Sequence, residues 1–109
     1  MKLYIGGAYQ GQAELAALEN PGGEIYPDFH ETIREAVLTQ GQEPREFARR
    51  FCDRHPQAVV VANEVGAGVV PVEASERAFR EAAGRALCIV AQEAEQVVRC
   101  VCGIGVRIK

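Results

Sequence analysis

Apolar positions divide the chain into short blocks whose spacing alternates between that of strands and that of helices. Residues 2–5 (KLYI) form a short apolar run ending at Gly6-Gly7, and residues 12–19 (QAELAALE) follow as a helix stopped by Asn20-Pro21-Gly22-Gly23. Residues 24–26 predict a second short strand closed by Pro27, with Asp28 as N-cap of a helix carrying Ile33, Val37 and Leu38 at helical spacing. Thr39-Gln40-Gly41-Gln42 ends that helix. Pro44 suits the first turn of the next, whose Phe47, Ala48 and Phe51 share a face and whose stop is His55-Pro56. Residues 58–62 (AVVVA) lack polar alternation, the pattern of a central parallel strand covered on both faces. After a loop over residues 63–71, a helix over about residues 73–94 sets Ala74, Ala78, Ala82 and Ala86 beside Phe79, Ala83, Leu87 and Val90. Residues 97–102 and 106–108 predict two C-terminal edge strands joined by Gly103-Ile104-Gly105. Strands alternating with helices predict a three-layer α/β fold with a mostly parallel sheet.

Composition narrows the partners more than the fold. At 109 residues with 48% hydrophobic content and no linker or repeat, residues 1–109 read as one domain able to bury a core without staples. Twelve basic residues against 15 acidic ones, with no run of like charge, leave no footprint for nucleic acid or an anionic membrane surface. Small-molecule or protein partners fit better. Apolar stretches are only a few residues long and MKLYIGGAY reaches glycine too soon for a signal peptide, so a cytosolic location is expected. Cys52, Cys88, Cys100 and Cys102 match no zinc spacing and read as free thiols, as a reducing compartment allows.

The first glycine loop carries the candidate chemistry. A phosphate loop places Gly, four residues, Gly, Lys and then Ser or Thr between a strand and a helix; Gly6, Gly7, Ala8, Tyr9, Gln10, Gly11, Gln12 and Ala13 have that frame and setting. Backbone amides and a helix N-terminus hold an anion without particular side chains. Gln12, however, stands where lysine would carry charge to the outer phosphates, and Ala13 removes the hydroxyl that would bind Mg2+. Losing one charged hydrogen bond costs about 1.5–3 kcal/mol, roughly ten- to a hundredfold in affinity, and transition-state stabilisation suffers more.

Three further segments occur in order: residues 63–71 (NEVGAGVVP), residues 79–85 (FREAAGR) and residues 103–109 (GIGVRIK). Together they resemble the adenosylcobinamide kinase/adenosylcobinamide-phosphate guanylyltransferase family over residues 58–109, and Gly6, Gly7, Ala8 and Gly11 echo that family's loop. The resemblance implies a P-loop NTPase-like, RecA-like fold in a minimal version, cobalamin biosynthesis, ATP or GTP as ligands, a corrinoid substrate and a homo-oligomer. It also implies a guanylylated histidine on a segment after the first helix, and that segment has no counterpart here. Asp28 aligns with the family's acidic strand-end position. Neither His30 nor His55 falls in the histidine motif, and both read as capping or solvated groups.

Asn63 and Glu64 follow the buried strand at the carboxyl edge, where open α/β sheets bind ligands, and form a second candidate for acidic or supporting groups. Arg80 and Arg85 read as solvated helix charge, with phosphate or subunit contact as the alternative. Three functions remain in competition. The chain is a catalytically impaired family member with weak nucleotide binding, an active kinase in which Arg34 or Lys109 replaces the loop lysine, or a non-catalytic interaction module.

Overall fold

A computed structural model describes residues 1–65 and 72–109; most of the loop expected over residues 63–71 lies outside them. In chain order the elements are β1 (Lys2–Gly6), α1 (Gln12–Glu19), β2 (Glu24–Tyr26), α2 (Phe29–Arg34), a π-helical turn (Glu35–Thr39) and α3 (Pro44–Arg54). There follow β3 (Ala58–Asn63), α4 (Ala74–Glu93), β4 (Gln96–Val101) and β5 (Ile104–Arg107). The sheet runs β2-β3-β1-β4-β5, with every pairing parallel except the antiparallel β4–β5 hairpin. This is an α/β fold with a mostly parallel sheet, as the alternation of apolar blocks implied, and its layout agrees with the P-loop NTPase-like fold that the resemblance implied.

Period-two side-chain alternation makes two cores. Leu3, Val60, Ala62 and Val97 face one way and pack with Phe29, Ile33, Ala48, Phe79, Ala83 and Val90 of α2, α3 and α4. Tyr4, Val59, Val61, Val98 and Cys100 face the other way and pack on Ala16, with Leu15 beside them. The run AVVVA is buried throughout because both faces of β3 are covered. Each fully buried valine or leucine contributes about 1.5–3 kcal/mol of transfer free energy, so this double-sided strand anchors the sheet.

Three local expectations change. Asp28 occupies the N-cap position of α2, but its backbone is left-handed (φ 51°) and its side chain makes no cap bond. The helix over residues 29–39 widens into a π turn, with the Gln40 amide bonded to the Glu35 carbonyl (3.1 Å). The β4–β5 connection is Cys102-Gly103 alone, both at positive φ (51° and 78°), whereas Ile104 and Gly105 belong to β5. Gly105 serves packing and not the turn: a Cβ there would collide with Leu15 Cδ2 of α1 and stand 3.0 Å from Val98 Cγ1.

Pro44 opens α3 as its first residue. Glu43 caps it, accepting from the amides of Arg45 (3.1 Å) and Glu46 (2.8 Å), and those bonds hold its carboxyl below the usual range.

Candidate functional site

β1 lies at the centre of the sheet, and the chain leaves it for β2 on one side before β3 leads back across to β4 on the other. The crevice at the carboxyl ends of β1 and β3 is therefore the topological switch point. Gly6 is paired with Asn63 of β3 and Cys100 of β4, and a Cβ on it would come within 2.5 Å of the Cys100 carbonyl oxygen. Only glycine fits there. Gly11 enters α1 at φ 86°, where a Cβ would stand 3.2 Å from Gly103 Cα. No side chain caps α1, so its first amides face the crevice, with the Glu14 carboxylate in the same turn.

Gln10 fastens the loop to the hairpin. Its carbonyl accepts from the Gly103 amide (2.9 Å) and its Oε1 from the Cys102 amide (2.7 Å). Gln12 fastens it to β3. The side chain is 95% buried, and its Nε2 donates to Asn63 Oδ1 (2.9 Å) and the Gly7 carbonyl (3.0 Å), with the Gly6 and Ala62 carbonyls at 3.3 and 3.4 Å. A neutral carboxamide thus fills the lysine position and directs its protons at protein acceptors.

A cavity of about 510 Å³ opens over the loop. Ala8, Tyr9, Gly11, Gln12 and Ala13 line it from the loop side, and Asp28, Asn63 and Glu14 from the others. Its size suits a small ligand, and among the described residues its walls bring two carboxylates and no basic side chain. Gly6 and Gly7 form the base beneath Gln12. Glu64 lies elsewhere: its amide donates to the Gly6 carbonyl (2.7 Å), and its carboxylate meets Arg99 Nε at 3.4 Å on the far side of the sheet. Strand alternation separates it from its neighbour Asn63. Ala13 offers no side-chain oxygen, so the carboxylates available to a metal ion here are those of Asp28 and Glu14.

His30 is neither a cap nor solvated. It is buried in α2, and its Nδ1 accepts the Asn63 amide at 3.1 Å, the neutral tautomer with the proton on Nε2. The residue thereby holds the Asn63 backbone while Asn63 Oδ1 receives Gln12. Its signal was in the sequence, since Phe29, His30 and Ile33 fall on one helical face. His55 instead ends α3, where its Nδ1 lies 2.9 Å from the Tyr26 hydroxyl and 3.2 Å from Glu24. Arg34 is bound to Glu76 (2.9 and 3.3 Å) and Glu31 (3.2 Å) and lies over the Phe79 ring, and the Glu76 bond raises its pKa. Lys109 donates to the Ala91 and Gln92 carbonyls at the end of α4. Neither cation lines the loop cavity.

A central strand, a glycine loop and a helix start under a crevice at the strand ends define an α/β domain with the layout of the P-loop NTPase-like fold. The profile of the family described as cobinamide kinase / cobinamide phosphate guanyltransferase matches residues 27–108, and the chain belongs to that family. It is 49% identical over 91 residues to "Bifunctional adenosylcobalamin biosynthesis protein CobU" of Escherichia coli (strain K12), a match covering 81% of this chain and 48% of the relative. Against the protein of the same name from Salmonella typhimurium (strain LT2), it is 49% identical over 59 residues, 53% of this chain and 33% of that one. The chain thus spans about half the length, or less, of the curated relatives it matches. Among the described residues no helix is long and apolar enough to cross a membrane.

Proposed function

We propose that this chain is a phosphate-loop domain of cobalamin biosynthesis whose loop retains an anion cradle but has lost phosphoryl transfer, leaving weak binding of ATP or GTP. The buried Gln12 carries the reading. Its amide is spent on Asn63 and the Gly7 carbonyl, and the cavity above holds Asp28 and Glu14 without a cation to offset a polyphosphate. Ala13 removes the magnesium hydroxyl as well, and loss of groups that act together is hard to repair singly. The glycine geometry and the end of α1 remain, which supports residual affinity for phosphate.

Titration calorimetry with ATP and GTP tests this directly. Weak binding without turnover of cobinamide is expected, and sub-micromolar binding with turnover would overturn it. The double variant Gln12→Lys/Ala13→Ser should gain about tenfold or more in nucleotide affinity by restoring a charged hydrogen bond. No gain would mean that the loop no longer cradles phosphate.

A second reading, self-association, has support in β5. All four of its residues are exposed at the sheet edge, Ile104 at 67% and Val106 at 54%, and an uncovered edge strand invites pairing. Equilibrium sedimentation showing a monomer at micromolar concentration would remove this support.

A further inference from the structure

The middle of the glycine loop is held from outside the loop. Among the described residues, the hydrogen bonds that tie residues 8–10 to another element are both made by Gln10. Its carbonyl accepts from the Gly103 amide (2.9 Å) and its Oε1 from the Cys102 amide (2.7 Å). Its Nε2 turns back to the Ala8 carbonyl at 3.4 Å, so one side chain joins the loop to itself and to the β4–β5 turn. Gly11 packs on the same turn, since a Cβ on it would stand 3.2 Å from Gly103 Cα. The turn is a strut set against the loop.

The strut has a strained segment to hold. Tyr9, next to Gln10, has a left-handed backbone (φ 61°), which a bulky residue adopts only where its surroundings impose it. Its ring is fully exposed, so the constraint reaches Tyr9 through the backbone of Gln10 and not through packing of its own side chain. Ala8, Tyr9 and Gly11 line the loop cavity, whereas Gln10 between them does not. Any effect of the Gln10 side chain on a ligand there must pass through its neighbours.

We propose that Gln10 is a positioning residue for the anion cradle: by clasping the Cys102-Gly103 turn it fixes the backbone of residues 8–11 before a ligand arrives. The proposal rests on the reading of this loop as a phosphate cradle. A loop ordered in advance gives up less conformational freedom on binding, so a contact that never touches the ligand adds to its affinity. The link is reciprocal. If the clasp favours the bound loop, an anion in the loop tightens the clasp at Cys102.

Amide NMR titration with ATP reads the affinity, and amide hydrogen exchange reads the clasp. Gln10→Leu keeps the bulk of the side chain and loses the Oε1 acceptor; it should weaken ATP binding about fivefold and speed exchange at Cys102. Saturating ATP should slow exchange at Cys102 in the unaltered protein and not in Gln10→Leu. Gln10→Glu keeps an acceptor for the Cys102 amide and should restore slow exchange there without ligand. Glu43→Ala removes the cap of α3, far from the loop in sequence, and should lower the melting temperature while leaving ATP affinity unchanged. Equal ATP affinity in Gln10→Leu, equal weakening in Glu43→Ala, or exchange at Cys102 indifferent to ATP in the unaltered protein would each overturn the proposal, and the last of these requires no variant to fold. Failure of ATP to bind the unaltered protein would instead remove the cradle itself, and the proposal with it.

Discussion

Gln12 is a buried neutral amide that ties the glycine loop to β3. Truncation by Gln12→Ala leaves the Gly7 carbonyl and Asn63 Oδ1 without their donor inside the protein, and should cost about 1–3 kcal/mol in urea unfolding. Gln12→Glu should cost more, because a carboxylate would face backbone carbonyls and the Asn63 oxygen. His30→Ala should loosen the same junction, read as faster amide exchange at Asn63. The cysteines divide by environment. Burial pushes the Cys52 thiol up to about 11, and burial also raises Cys100, while Cys88 and Cys102 are exposed. Alkylation at pH 8 followed by mass spectrometry should modify the exposed pair and spare the buried pair. Between pH 9 and about 11 the folded chain holds the Cys52 proton longer than the unfolded chain does, so stability falls as pH rises through that window.

Elements were legible wherever pattern and packing agreed. Residues 58–62 read as a covered strand because an uninterrupted β-branched run has no solvent face, and α1 was bounded by Gly11 before it and Asn20-Pro21-Gly22-Gly23 after it. The hairpin was misplaced because glycine serves two purposes. Gly103 supplies a positive φ, whereas Gly105 clears space for Leu15, and only the approach of α1 distinguishes them. Two variants check that division. Cys102→Asn should stabilise the hairpin by about 0.5–1 kcal/mol, since asparagine tolerates the left-handed geometry of the first turn position. Gly105→Val should destabilise it, measured by thermal melting, because the added side chain meets Leu15 and Val98. At the loop, the frame from Gly6 to Ala13 could be read from spacing, but the burial of Gln12 could not. Two of its four acceptors come from β3, about fifty residues away in sequence, and helical spacing says nothing of them. Strand alternation was the unused clue that Asn63 and Glu64 must part company.

Across the whole molecule, exposed carboxylates tie separate elements together. Glu43 caps α3, Glu76 holds Arg34 across from α2 to α4, and Glu24 binds Tyr26 and His55 at the sheet edge. Hydrogen bonds lower the pKa of all three from the ordinary 4.5. Their contribution is complete above that value and disappears as pH falls through the depressed folded values. The thermal midpoint should therefore decline on acidification below about pH 4.5, and Glu76→Gln should flatten part of that decline. The clasp between Gln10 and the Cys102-Gly103 turn has a further consequence, for the order of assembly. The two hydrogen bonds join positions about 92 residues apart. A ribosome releases Gln10 early, yet its partners emerge only after β4 has been made. The loop end of the domain is thus synthesised well before the turn that fastens it, and a nascent chain arrested before residue 102 would expose an unsecured loop.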